Sequence, residues 1–197
     1  MTTRRKILVI LGSTREGRYG DKPAHWILGM LRADGRFDAE LVDLRDWPLP
    51  MFDQPRSPVK VTDGKYGNDV ADRWGQTIAA ADGYVIITAE YNHGYTAVLK
   101  NALDWIFREW NRKPVTFVGY GNAGGSRAIE QLREVAVELE MAPIRRAVHL
   151  PLDVYRATMT TQAPADPALF APAEPAAKLM LDELAWWANA LAVARAM

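Results

Sequence analysis

One stretch of the chain, residues 84–105, most constrains what this protein can fold into. An apolar run at residues 84–88 stops at a polar, glycine-containing segment, residues 90–95, and a helical pattern begins at Ala97. A buried strand, a tight loop and a helix amino terminus are the parts with which open α/β sheets form ligand crevices at the carboxyl ends of their strands. The loop carries a carboxylate, two phenols, an amide and an imidazole. Such a cluster is suited to binding the rim of a planar ligand with many polar edges.

Short apolar runs alternate with helical patterns along the whole chain, which predicts a parallel sheet with helices on both faces. Strands are expected at residues 7–11, 39–44, 84–88, 114–120 and 145–150. Helices are expected at residues 22–33, 68–81, 97–110, 125–139 and 173–196. With 197 residues, the chain is expected to form a single α/β domain, residues 1–197. The last helix is expected to pack on that domain or on a partner subunit.

Two proline-bearing segments, residues 45–67 and 151–171, interrupt this pattern. Their prolines are Pro48, Pro50, Pro55 and Pro58 in the first segment, and Pro151, Pro164 and Pro167 in the second. Because proline lacks a backbone N–H group and its ring blocks helix continuation, both segments are predicted to be irregular. Their length suits a lid, a subunit contact or a plain surface excursion.

Composition excludes several kinds of site. The chain has no cysteine, which rules out disulfides, thiolate catalysis and Cys-based metal or iron–sulfur sites. Its 24 basic and 24 acidic residues give a formal net charge of zero, which argues against a nucleic-acid partner. No apolar run approaches the ~18 residues of a membrane span. The apolar part that follows the basic start is too short for a signal peptide, so we expect a cytoplasmic protein.

The first expected strand leads into a polar segment, residues 12–21, and then into a helix. A helix amino terminus has unpaired N–H groups and partial positive charge, both of which favour a phosphate. Ser13 adds a hydroxyl, Arg15 and Arg18 add guanidinium groups, and Gly20 allows a close approach of the backbone. The segment lacks the Gly-Lys-Ser/Thr ending of a nucleoside-triphosphate loop, and its glycines, at positions 12, 17 and 20, do not have the spacing of a dinucleotide fold. The pattern indicates one terminal phosphomonoester, and the alternative is an ordinary polar loop with solvated arginines.

Three segments together resemble the NADPH-dependent FMN reductase family, which includes quinone, azo-dye and chromate reductases. They are Gly-Ser-Thr-Arg at residues 12–15, Glu-Tyr-Asn-His-Gly at 90–94 with Leu-Lys-Asn-Ala-Leu-Asp-Trp at 99–105, and Gly-Tyr-Gly-Asn-Ala-Gly-Gly at 119–125. The similarity covers about residues 6–150. It implies an α/β, flavodoxin-like, three-layer sandwich, with a five-stranded parallel sheet in the order 2-1-3-4-5.

The resemblance also implies a bound FMN and the positions that hold it. The phosphate is expected at the first segment, and the isoalloxazine ring along the second. Backbone N–H groups of the third segment are expected at the pyrimidine edge, where fixed donors stabilise the charge of the reduced ring. The expected FMN-binding residues are Ser13, Arg15, Arg18, Gly20, Glu90, Tyr91, Asn92, His93, Gly94, Gly121, Asn122 and Gly124.

Two positions depart from the family's pattern, and a third leaves its role open. Arg18 stands where the family usually has a second phosphate-binding hydroxyl, so its guanidinium or the neighbouring Tyr19 is expected to take that place. Ala89 stands where the family usually has proline, which predicts a slightly softer second loop. For His93, a rim contact or a packing role is expected, with acid catalysis as the alternative.

The resemblance implies an NAD(P)H-dependent FMN reductase of the quinone-reductase type. In the expected ping-pong reaction, NADPH or NADH delivers hydride to bound FMN. A small-molecule acceptor then takes the electrons: a quinone, an azo or nitro compound, free flavin or a metal oxyanion. Hydride passes directly to the flavin, so no catalytic side chain and no metal site is expected. A homodimer or homotetramer is implied as well.

Two other functions remain open from the sequence. One is a non-enzymatic, flavodoxin-type electron carrier that exchanges electrons with protein partners. The other is a sugar- or nucleotide-phosphate enzyme that uses the anion loop without a flavin.

Five further polar or aromatic residues have expected positions. Asn101 and Trp105 are four residues apart on the third helix and share a face, which predicts either core packing or a subunit contact. Arg45 opens the first proline-bearing segment, where a partner subunit could be contacted. Arg127 and Arg133, on the fourth helix, are expected to face solvent.

Overall fold

A parallel β-sheet forms the centre of the protein, whose computed structural model describes residues 4–197. The four long strands follow one another across the sheet in the order β2-β1-β3-β4, and two short strands, β5 and β6, both pair with β4. Every residue of β3 and β4 is buried, which explains their uninterrupted apolar runs. The strands are β1 (Arg5–Leu11), β2 (Phe37–Asp43), β3 (Gly83–Ala89), β4 (Pro114–Tyr120), β5 (Ala142–Pro143) and β6 (Val148–His149).

The predicted order 2-1-3-4-5 is confirmed, but the last strand differs from its expected form. Instead of one strand at residues 145–150, β5 and β6 flank an irregular segment, residues 144–147, because the N–H groups of its middle residues have other acceptors. Glu183 accepts the N–H groups of Arg145 and Arg146 at 3.2 and 2.9 Å. The hydroxyl of Thr116 donates to the Arg146 carbonyl at 2.7 Å, where a strand would have had a ladder bond.

Helices cover both faces of the sheet, as predicted. One apolar core lies under α1, α5 and α6, and a second lies under α2, α3 and α4. Helix α6 buries Met180, Leu181 and Leu184 against the sheet of its own chain. The helices are α1 (Asp21–Ala33), α2 (Asp69–Ala79), α3 (Ala97–Asp104), α4 (Ser126–Glu138), α5 (Leu152–Met159) and α6 (Glu174–Arg195).

Two predictions about the helices are wrong: the end of the third expected helix, and the absence of a helix from residues 151–171. Helix α3 ends at Asp104, where Trp105 leaves the helix and its indole N–H donates to the Pro50 carbonyl at 2.7 Å. Residues 151–171 were expected to be irregular, but they contain α5. Pro151 occupies the N-cap of α5, a position that needs no N–H group, so this proline starts the helix instead of interrupting it.

The first proline-bearing segment is irregular, as predicted, apart from two 3₁₀ turns at Leu44–Asp46 and Pro58–Lys60. It lies against the second core through Trp47 and Phe52. Among residues 4–197, no helix has the length and apolar character needed to cross a membrane.

Candidate functional site

Three loops meet at the carboxyl edge of the sheet: the first loop (residues 12–20) after β1, the second (90–96) after β3 and the third (121–125) after β4. The side-chain hydroxyls of Ser13 and Tyr91 lie 3.2 Å apart and join the first loop to the second. A Cβ atom on Gly121 would lie 3.6 Å from the Cβ of Glu90, so the third loop contacts the second. This edge is where strand order reverses, at the usual place of a ligand crevice. A crevice of about 490 Å³ is lined by Arg15, Glu90, Tyr91 and Asn92.

The first loop presents a row of unpaired backbone donors. Among residues 4–197, no acceptor meets the N–H groups of Thr14, Arg15, Glu16 or Gly17, and all four residues are exposed. Within the same range, the Arg15 side chain has no hydrogen-bond or ion-pair partner. Successive free N–H groups in a turn form a concave anion-binding site. The donor set of this loop therefore fits a phosphate.

Arg18 points away from the crevice and is only 5% exposed. Its guanidinium donates to both carboxylate oxygens of Asp21, to both oxygens of Asp43 and to the Ser13 carbonyl. These contacts use all five N–H groups of an arginine. Burial alone would lower the pKa of Arg18, but the bonds to Asp43 and Asp21 raise it above its ordinary value. As the structure stands, no N–H group of Arg18 is left for a phosphate.

Gly20 precedes α1 at a point where the backbone runs against the sheet. A Cβ atom there would lie 2.7 Å from Leu11 Cδ1 and 2.8 Å from the hydroxyl oxygen of Tyr120. A larger residue here would require the side chains of Leu11 and Tyr120 to shift.

The second loop contains a two-residue hairpin turn. Tyr91 and Gly94 exchange backbone hydrogen bonds of 2.8 and 3.0 Å across Asn92 and His93. Both central residues are left-handed, with φ of 49° and 69°, as a type I′ turn requires. Asparagine and histidine both adopt this conformation more readily than most residues, and contacts with neighbouring side chains also hold the turn in place.

Those contacts come from α4. The Glu90 carboxylate accepts hydrogen bonds from the backbone N–H of Arg127 at 3.1 Å and from its Nε at 2.6 Å. The guanidinium of Arg127 also lies 2.9 Å from His93 Nε2, and Gln131 donates to the His93 carbonyl at 3.0 Å. Burial alone would raise the pKa of Glu90, but the bonds from Arg127 lower it below its ordinary value of 4.5. The ionised form of the Glu90 carboxylate is therefore the one that fixes the second loop.

The third loop folds back tightly onto the end of β4. Gly125 has a φ of 72°, and a Cβ atom on it would lie 2.7 Å from the Cα of Gly119. Gly121 and Gly124 also have positive φ, 134° and 60°. Among residues 4–197, no acceptor meets the N–H groups of Asn122 and Ala123. Free backbone donors thus stand beside the second loop, where the pyrimidine edge of a flavin was expected.

Comparison with known proteins decides the family. The profile described as NADPH-dependent FMN reductase matches residues 5–153. The chain belongs to this family. It is 45% identical over 150 residues to an NAD(P)H-dependent FMN reductase of Schizosaccharomyces pombe, a match that covers 75% of this chain and 74% of that one.

Two further relatives extend the comparison. A 2-hydroxy-1,4-benzoquinone reductase of a Burkholderia species is 35% identical over 146 residues, covering 69% of this chain and 72% of that one. The structure of FerB, a flavoenzyme NAD(P)H:(acceptor) oxidoreductase of Paracoccus denitrificans, superposes with a TM-score of 0.65 at 23% identity, covering 94% of this chain and 97% of that one. The predicted family and the flavodoxin-like fold are both confirmed.

Several residues that organise this candidate site were not identified from the sequence. Thr96, whose hydroxyl donates to the Gly12 carbonyl, had a signal, because a threonine before a helical pattern marks an N-cap. Arg45 and Asp43 hold the first loop, and Arg127 holds the second. Their partners lie between 25 and 37 residues away along the chain, and the sequence has no local pattern that links them.

Proposed function

We propose that this chain is an FMN-dependent NAD(P)H oxidoreductase that passes electrons to a small-molecule acceptor, a quinone in the first instance. Membership of the NADPH-dependent FMN reductase family and the named activities of the S. pombe and Burkholderia relatives support this function. The observation that carries it is the row of N–H groups at residues 14–17 that have no acceptor among residues 4–197, beside the Arg15 guanidinium and the crevice.

The first loop would hold the FMN phosphate. Its backbone donors supply fixed positive potential, and the Arg15 guanidinium adds a charged donor; both favour an anion. Ser13 is a further donor at the start of the loop. Arg18 and Gly20 would support the loop without contacting the phosphate. Arg18 would fix the loop through the Ser13 carbonyl, and Gly20 would let it lie close to Tyr120.

The second and third loops would hold the ring. Tyr91, Asn92 and Gly94 form the hairpin turn at the crevice, and His93 and Glu90 are bound by Arg127. The N–H groups of Asn122 and Ala123, which lie between Gly121 and Gly124, would face the edge of the ring that gains negative charge, where fixed donors stabilise it. No side chain of the chain is assigned a catalytic role.

When bound, FMN supplies the redox chemistry, because its ring accepts a hydride from NAD(P)H and gives up two electrons to a second acceptor. The protein contributes the position of the ring, the fixed donors and an open crevice. An open crevice supports a ping-pong order, in which the nicotinamide leaves before the acceptor binds at the same face.

The domain organisation, the assembly and the cellular location of the protein belong to the same proposal. The chain works as one flavodoxin-like domain of residues 1–197. It assembles as a homodimer or homotetramer, which light scattering on the eluted protein would test. It acts in the cytoplasm, where its nicotinamide co-substrate is available, and cell fractionation would test that location.

An anaerobic titration tests the proposed function. The full-length protein is loaded with FMN, and its absorption is followed while NADPH and then NADH are added. We expect the band at ~450 nm to bleach and then to return when 1,4-benzoquinone is added, because the electrons leave through the same ring. Bound FMN whose band stays unchanged with both nicotinamides would contradict the enzymatic function and favour an electron carrier. Failure to bind FMN at all would contradict the flavin assignment itself.

A further inference from the structure

The first loop turns its carbonyl groups toward two arginines on the β2 side of the sheet. The Ser13 carbonyl accepts from Arg18 Nη1 at 2.6 Å, and the Thr14 carbonyl accepts from Arg45 Nε at 3.3 Å. The Arg15 carbonyl accepts from Arg45 Nη2. Three consecutive peptide carbonyls are therefore held by guanidinium N–H groups.

These contacts determine where the loop's N–H groups point. In a planar trans peptide the C=O and N–H bonds point in opposite directions. The N–H groups paired with the three carbonyls are those of Thr14, Arg15 and Glu16, which have no acceptor among residues 4–197. Arg45 follows β2, on the side of β1 opposite to β3, whereas the crevice lies at the β3 side. The N–H groups are thus directed away from Arg45 and toward the crevice.

Both arginines are anchored to one carboxylate at the end of β2. Asp43 Oδ1 accepts from Arg18 Nη1 at 2.6 Å and from the backbone N–H of Arg45 at 2.9 Å. The planar fork of an arginine can span two adjacent carbonyl oxygens, whereas a lysine offers a single point charge. The chemistry of this arrangement is therefore specific to arginine at position 45.

We propose that Arg45 is a positioning residue for the phosphate of FMN. With Arg18, it fixes the peptide planes of the first loop so that their N–H groups face the anion, while its own guanidinium stays on the carbonyls of Thr14 and Arg15. This inference rests on the proposed function, because it concerns the same phosphate site. It predicts that Arg45 affects binding of the phosphate and not binding of the ring.

Flavin binding to two variants tests the proposal. Arg45→Met removes the guanidinium, and Arg45→Lys keeps the charge but cannot bridge two carbonyls. FMN and riboflavin, which lacks the phosphate, are titrated into the full-length protein stripped of flavin, and binding is read from flavin fluorescence. We expect both variants to raise the Kd for FMN about tenfold or more, and to change the Kd for riboflavin by less than about twofold.

The chain offers a matched control in Arg133. Its guanidinium also bridges two consecutive carbonyls, those of Ile144 and Arg145, at 2.5 and 3.0 Å, but in a different part of the fold. We expect Arg133→Met to leave the Kd values for both flavins unchanged.

Three results would overturn the proposal while leaving the proposed function intact. An FMN affinity of Arg45→Lys equal to that of the unsubstituted protein would show that charge alone suffices. Equal losses for FMN and riboflavin would show a general structural effect. Unchanged FMN affinity in Arg45→Met would show that the loop needs no such contact. Should Arg45→Met fail to fold, Arg45→Lys alone decides between these outcomes. Absence of FMN binding by the unsubstituted protein would instead overturn the proposed function, and this proposal with it.

Discussion

Glu90 and Arg127 join the second loop to the helix that follows the third loop. The Glu90 side chain is 6% exposed and accepts both the backbone N–H and the guanidinium of Arg127, which lies in the first turn of α4. A carboxylate at a helix amino terminus is stabilised by the unpaired N–H groups and by the helix dipole. One ion pair therefore ties together the two loops that would face the flavin ring.

Replacing Arg127 should loosen both of these loops. In Arg127→Met, the Glu90 carboxylate keeps only its backbone donors. Because the Arg127 side chain is 40% exposed and its charge is screened by solvent, we expect a loss of only about 1–2 kcal/mol in the free energy of unfolding. Since these loops would contact the ring, the affinities for FMN and riboflavin should fall together. Urea denaturation and flavin titration measure the two effects.

Arg73 provides the control for that substitution. It is an exposed arginine on α2 without a hydrogen bond or ion pair among residues 4–197. Arg73→Met should change neither stability nor flavin affinity. The expected role of Arg127 would be refuted if its variant behaved like Arg73→Met.

The pair Arg18–Asp43 should make stability depend on pH. Burial alone would raise the pKa of Asp43, but hydrogen bonds from Arg18 and from the Arg45 N–H lower it below its ordinary value of 3.8. Because its pKa is lowered in the folded state, Asp43 stabilises the fold above pH 3.8. This contribution of Asp43 to stability is lost as the pH falls through its folded-state pKa. At pH 7 we expect Asp43→Asn to cost about 2–3 kcal/mol, because Arg18 is buried and keeps only Asp21 as an ionic partner.

Urea denaturation at a series of pH values checks this expectation. The difference between Asp43→Asn and the unsubstituted protein should narrow as the pH falls below 3.8, since protonated Asp43 resembles asparagine. Asp104→Asn is the control, because Asp104 forms an exposed i,i+4 pair with Lys100 that should contribute less than about 0.5 kcal/mol. A difference that stays constant over the whole pH range would contradict the assignment.

Much of the fold follows from the sequence, because buried parallel strands leave a simple signal. The runs that became β1, β3 and β4 are apolar on both faces, and each is followed by a helix with one apolar side. The split between β5 and β6 has no such signal. It depends on Glu183 in α6, which lies 38 and 37 residues further along the chain than the two N–H groups it accepts.

The candidate site shows the same division. Its loops were predictable, since the carboxyl ends of neighbouring parallel strands meet at one edge. The orientation of Arg18 was not predictable, because the competing acceptor Asp43 lies on a neighbouring strand, 25 residues further along the chain. Arg127 was expected to face solvent for a similar reason, as its partner Glu90 is 37 residues earlier.

Loss of the hydroxyl group should change the free energy of unfolding differently for two neighbouring tyrosines, Tyr19 and Tyr120. Their rings lie 4.9 Å apart beneath the first loop. The Tyr19 hydroxyl is 2.6 Å from that of Thr158, whereas the buried Tyr120 hydroxyl has no hydrogen-bond partner among residues 4–197. Burial raises the pKa of Tyr120. The nearby Ser13 side chain lowers this pKa, but by less than burial raises it. We expect Tyr19→Phe to lower the free energy of unfolding by about 1 kcal/mol, and Tyr120→Phe to leave it unchanged or slightly raised.

Each of these variants is the control for the other, because each removes one phenolic hydroxyl from the same aromatic cluster. Thermal and urea denaturation measure both. A loss in Tyr120→Phe as large as that in Tyr19→Phe would mean that the Tyr120 hydroxyl has an acceptor after all, and Ser13 is the nearest polar candidate.

Asn101 should keep the first proline-bearing segment closed against α3. Its side chain accepts the Phe52 N–H at 2.9 Å and donates to the Pro50 carbonyl at 2.8 Å. Asn101→Leu leaves the Phe52 N–H without its acceptor, whereas the Pro50 carbonyl keeps the indole N–H of Trp105. We therefore expect a loss of about 1–3 kcal/mol and faster cleavage of the folded protein by trypsin after Arg56 or Lys60.

A second asparagine separates local opening from general destabilisation. Asn111 donates to the carbonyls of Phe107 and Leu139 at 3.2 and 2.8 Å and makes no bond to the proline-bearing segment. Asn111→Ala should lower stability by about 1–2 kcal/mol without speeding cleavage after Arg56 or Lys60 under native conditions. If both variants sped this cleavage in proportion to their loss of stability, the cleavage would follow global unfolding. The contacts of Asn101 would then have no specific part in holding the segment.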